Sequence, residues 1–106
     1  MKGFGDIMQQ AQKMQSRLME LNKEIEGKTV EAAAGGGMVT VTVNGKGQLI
    51  SVKIEKEIIN PEEKEMLEDL VLAAVNEAQR KIQSMKEEEY KKLTGGLKIP
   101  GMPNLF

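Results

Sequence analysis

The sequence predicts an α+β fold: a long N-terminal helix, a small antiparallel sheet of about three strands, and a long C-terminal helix. Three observations predict it. Apolar residues recur at alternating steps of three and four from Phe4 to Ile25. Alternating residues mark two strands, over 38–43 and 49–54. No glycine or proline interrupts the chain between Pro61 and Gly95.

The first helix is expected to begin at Asp6, where Asp6 and Gln9 have the spacing of a capping box. Phe4, Ile7, Ala11, Met14, Leu18, Leu21 and Ile25 form a strict heptad seam, narrow enough to suit one partner helix. Gly27 is the expected stop. Residues 29–34 read as a short, weak strand, and Gly35-Gly36-Gly37 as a turn or loop. Over 38–43, valines occupy one face and Met/Thr the other. Asn44-Gly45 signals a hairpin, and Gly47 suggests a bulge. In the returning strand Ile50, Val52 and Ile54 are expected to face the core, with Ser51 and Lys53 toward water. Asn60-Pro61-Glu62-Glu63 opens the last helix, with Asn60 as cap, Pro61 in the first position and Glu63 completing a box.

That helix, from about 61 to about 93, would be ~50 Å long, against a diameter of ~26 Å for a compact chain of this size. It must project or be covered. Its first half is apolar around much of its circumference, whereas only a stripe through Ile82 and Met85 continues. One small sheet covers one side, so a second copy is the natural cover for the other, the alternative being a monomer in which the first helix covers it. Leu67, Leu70, Val71, Ala74, Val75 and Ala78 are the expected dimer interface. Asp69 and Asn76 share a helix face and are read as buried hydrogen-bonding groups, not catalysts. The expected organisation is one α-β-β-β-α domain over 1–94, followed by a Gly/Pro-containing tail over 95–106. The tail is apolar, and both a frayed end and a docking strap fit it.

Composition excludes several functions. The 106 residues contain no Cys and no His, which removes disulfides, thiol nucleophiles, imidazole ligands and Ser-His chemistry. No phosphate loop or metal-ligand spacing occurs, and the glycine run is followed by no Gly-Lys-Ser/Thr. No enzymatic activity, cofactor, metal or small-molecule substrate is expected. No membrane association or signal peptide is expected either, because no apolar run is long enough and Lys2 precedes no apolar stretch. The expected location is the cytoplasm.

The formal net charge of -1 conceals an asymmetry. Residues 1–19 carry +2, residues 20–77 carry -6 and residues 78–106 carry +3. If the first helix lies antiparallel on the last, Lys13 and Arg17 approach the far half of the last helix, and the basic segments meet at one tip. Two such tips in a dimer could straddle a duplex and neutralise phosphates. Surface Lys and Glu equally serve solvation and pairing one turn apart, and Glu87-Glu88-Glu89 lies inside the second basic segment.

Three blocks carry a resemblance: 35–45 (GGGMVTVTVNG), 66–78 (MLEDLVLAAVNEA), and the Gly95-Gly96…Pro100-Gly101…Phe106 tail. With the Gln- and Met-rich first helix, they resemble the YbaB/EbfC family of bacterial nucleoid-associated proteins, over essentially the whole chain. The resemblance implies a tweezer-like homodimer with helical arms that binds duplex DNA in the nucleoid without catalysis. Low sequence specificity is expected, because no base-reading constellation is apparent. The positions matching the family's DNA-contacting helices are Lys13, Arg17, Arg80, Lys81, Lys86, Lys91 and Lys92. Replication or recombination proteins are implied as further candidate partners. The alternative reading is a protein–protein adaptor near that machinery, without direct DNA contact.

Overall fold

In the computed structural model, which describes residues 2–95, the order is α1 (Lys2–Glu26), β1 (Thr29–Ala34), β2 (Val39–Asn44), β3 (Leu49–Ile54), two 3₁₀ turns and α2 (Lys64–Thr94). The expected tail lies outside the described residues from position 96 onward. The strands form an antiparallel meander, β1-β2-β3. Ala32 pairs with Val41, and Val41 with Val52.

The valine alternation does what its period demands. Val39, Val41 and Val43 are fully buried on one face of the central strand. Ala74, Ala78 and Ile82 of α2 cover them, together with Ala32 of β1. Leu67, Leu70, Val71 and Val75 pack around this core, half-buried. The molecule is a rod, 74 × 24 × 16 Å, with a radius of gyration of 19.8 Å against ~13 Å for a compact chain of about this length.

Several local expectations are corrected. α1 begins at Lys2, so Asp6 lies inside the helix and does not cap it. The bulge is at Ile50: Thr42 pairs with Ser51 and Val43 with Leu49, which leaves Ile50 as the additional residue of β3. Gly47 instead lies in the hairpin turn at φ 81°. That turn is closed by the Asn44 side chain, which accepts from the backbone N–H groups of Lys46 and Gln48 at 3.0 Å each. Asn60 does cap, accepting from the Glu62 N–H at 3.0 Å, but the first turn is 3₁₀ and Glu63 makes no capping bond.

The larger correction concerns β3. Val52 and Ile54 do lie on the helix-covered face of the sheet, paired with Val41 and Val39. They nevertheless remain 42% and 36% exposed, because α2 lies across β1 and β2 only. A helix is ~10 Å wide and strands are spaced ~4.8 Å apart, so one helix shields about two strands.

Candidate nucleic-acid interface

α2 runs antiparallel to β1, from Leu70 beside Gly35 to Lys81, whose ammonium donates to the Glu31 carbonyl at 3.0 Å. Its last turns continue past the sheet. There α1 packs on it antiparallel, and the Tyr90 hydroxyl donates to Asn22 Oδ1. Lys28 pairs with Glu89 at 3.2 Å, and Lys92 with the same carboxylate at 3.6 Å. The hydrogen bond from Lys28 holds the Glu89 carboxyl below the usual carboxylate range, with partial desolvation opposing it.

The root of α1 is fixed tightly. Ile25 is buried, and Gly45 of the hairpin donates its N–H to the Lys28 carbonyl at 3.0 Å. A Cβ on Gly45 would stand 1.8 Å from the Ile25 carbonyl oxygen, so only glycine allows the hairpin this close to the helix end. Above the root, contact ends quickly. Leu18, Leu21 and Ile25 are at least partly buried, but Phe4, Ile7, Ala11 and Met14, on the same seam, are exposed. The expected overlap of the two helices is therefore confined to the last turns of each. About the first 16 residues of α1 extend beyond the end of α2 as a single projecting helix.

The candidate cations divide accordingly. Lys13 and Arg17, one turn apart, lie on the projecting part of α1, exposed. On α2, Arg80 and Lys91 are eleven residues apart and share a face. Arg80 is paired with Glu77, and Lys81 is engaged by the β1 carbonyl. The shallow groove on this flank, lined by Glu77, Arg80, Lys81, Ser84, Met85 and Glu88, sets two acids against two bases. Lys86 is half-buried one turn before Tyr90, on the face turned to α1, and Lys92 is paired with Glu89. Among the described residues, Lys13, Arg17, Lys86 and Lys91 have no acidic partner within ion-pair distance, and of these Lys13, Arg17 and Lys91 are exposed.

The residues expected at a dimer interface are largely used inside the protomer. Ala74 and Ala78 are fully buried under the sheet and have no surface left for another chain. Sequence reasoning missed a different apolar strip: Leu49, Val52 and Ile54 of β3, paired with Val43, Val41 and Val39, stay 46%, 42% and 36% exposed, and Leu72 on α2 is 60% exposed, while Ile50, expected to face the core, is the unpaired bulge residue. Its signal was present, since three apolar residues on one strand face had only one helix to cover the sheet. Asp69 and Asn76 are exposed, so the buried hydrogen bonding expected of them does not form in the protomer. Among the described residues, no group of three or more acidic side chains could hold a metal ion, and no helix is long and apolar enough to cross a membrane.

A helix–meander–helix rod with a projecting basic helix defines a class of non-globular α+β proteins in which arms extend from a sheet core. The chain belongs to the YbaB/EbfC DNA-binding family, whose model matches residues 1–97. It is 50% identical over 104 residues to a nucleoid-associated protein of Thermodesulfovibrio yellowstonii, covering 98% of this chain and 91% of the relative. A nucleoid-associated protein of Syntrophobacter fumaroxidans is 48% identical over 107 residues, covering 99% and 96%. The fold is shared with the crystal structure of an uncharacterized Helicobacter pylori protein, at a TM-score of 0.74 and 22% identity, covering 87% of this chain and 97% of that one.

Proposed function

We propose that this chain is a nucleoid-associated protein that acts as a homodimer and binds duplex DNA with low sequence specificity, in an architectural and non-enzymatic role. The observation that carries the reading is the projecting half of α1, where Lys13 and Arg17 stand exposed beyond the end of α2. Cations on a protruding helix reach phosphates without desolvating the body of the protein. Lys91 supplements them, while Arg80, Lys81 and Lys92 are held by local contacts and Lys86 is half-buried, so these four contribute less. The protomers join through the open apolar strip of β3 and Leu72, with Leu67, Leu70, Val71 and Val75 behind it.

The test is a fluorescence-anisotropy titration on a mixed-sequence duplex across a salt series. Each phosphate contact contributes about 0.9 to the slope of log affinity against log salt. Reversing Lys13 and Arg17 to Glu removes up to four contacts per dimer, so the slope should flatten by about 3–4. An unchanged slope in a folded variant would refute the tip assignment. A protein–protein adaptor is the second reading, favoured by the exposed apolar seam of α1. Absence of binding to any duplex at low salt would select it.

A further inference from the structure

The sheet has two edges, β1 and β3, and they differ. β3 is bulged at Ile50, which bends a strand and blunts its edge. β1 pairs with β2 in unbroken register over all six of its residues, and three of those are alanine. The Gly45 N–H donates to the Lys28 carbonyl, so the Lys28 peptide faces β2. By alternation, the peptide groups of Thr29, Glu31 and Ala33 face the outer edge. An unbulged row of this kind is a template for another strand.

The covering helix would not keep such a strand away. α2 lies across β1 and β2. Joining β1 to the β1 of a second copy would set the two α2 axes two strand spacings apart, ~9.6 Å, within the ~8–10 Å at which helices pack. The obstacle is a side chain. Lys81 reaches down from α2, and its ammonium donates to the Glu31 carbonyl at 3.0 Å, the middle acceptor of the outer row.

We propose that Lys81 guards the β1 edge: by occupying the Glu31 carbonyl, it keeps a second copy from adding its own β1 there and lengthening the sheet. An arriving strand either displaces the ammonium or leaves one of its own N–H groups unpaired inside the new ladder. The Glu31 carboxylate is the lesser obstacle. It opposes only the register that sets it against Glu31 of the other copy, whereas Lys81 blocks the shared acceptor in every register. The proposal rests neither on DNA binding nor on the join through β3, which uses the opposite edge of the sheet.

The test is Lys81→Met in the full-length chain, which keeps the side-chain length and removes the charge and the donor. Lys23→Met, at an exposed position of α1, makes the same change in charge and apolarity elsewhere. Lys81→Arg retains a donor. Sedimentation velocity follows species larger than the parent's after concentration, and amide exchange locates the contact. The expected result is that Lys81→Met forms larger species at least tenfold faster than the parent or Lys23→Met. Lys81→Arg should behave as the parent, and exchange in the assemblies should slow at Glu31 and Ala33. Parent-like behaviour of folded Lys81→Met, or equal growth in Lys23→Met, would overturn the proposal. Slowing at Val52 and Ile54 in place of β1 would overturn it too. Lys81→Ala, read by the same criteria, takes the place of Lys81→Met should that variant fail to fold.

Discussion

Leu72 gives the most direct test of how two protomers would join. It sits on α2 with 60% of its surface exposed, on the same flank as Gln79 two turns later, whose side chain donates to the Gly47 carbonyl in the β2–β3 turn. Full burial of a leucine is worth about 1.5–3 kcal/mol, so covering the exposed share contributes about 1–2 kcal/mol per copy. A two-fold interface uses the residue twice, for about 2–4 kcal/mol in all. That corresponds to a dissociation constant raised about 30- to 700-fold in Leu72→Ser. The protomer itself should lose only ~0.5 kcal/mol or less, from helix propensity, because Leu72 contributes little to its core. Sedimentation equilibrium at several loading concentrations measures the constant, with circular dichroism as the check on folding. A folded variant whose dimerisation is unchanged would refute the assignment of this strip. A parent chain that stays at 11.7 kDa when concentrated would refute the dimer altogether.

Other expectations follow from the root and the core. Ile82→Ala removes a side chain only 2% exposed in the core between α2 and the sheet and should cost about 2–5 kcal/mol in urea unfolding. Gly45→Ala places a methyl against the Ile25 carbonyl and should lift the hairpin from the root of α1, seen as faster amide exchange at Gly45 and across residues 21–26. Glu89 should titrate below an ordinary glutamate by carbon-13 NMR, and Lys28→Gln should move its midpoint back up. Because the folded carboxyl is depressed, its contribution to the α1–α2 contact is present above the unfolded-state value and is lost as pH falls through the folded one.

The central elements were legible because their signals are local. Val39, Val41 and Val43 alternate on a two-residue period, and Asn60-Pro61 marks a helix entry by its own chemistry. The start of α1 was not legible, because Asp6 and Gln9 have the spacing of a capping box although the helix runs on through them to Lys2. The exposure of Val52 and Ile54 depends on how many strands a helix shields, which periodicity does not encode. At the interface, the Glu77–Arg80 pairing was readable from its three-residue spacing. The hold of Glu31 on Lys81 was not, because fifty residues separate them. The projecting length of α1 also escaped, since a heptad seam does not say where its partner stops.

The seating of α1 at Ile25 and Gly45 makes that end a fulcrum. Phe4 stands ~31 Å farther along the helix axis. Tilting the helix by about 10° at the fulcrum would swing the far end by ~5 Å, on the scale of a minor groove ~6 Å wide. Small repacking around one glycine would therefore move the projecting end of α1 by that amount, with the sheet beneath left unaltered.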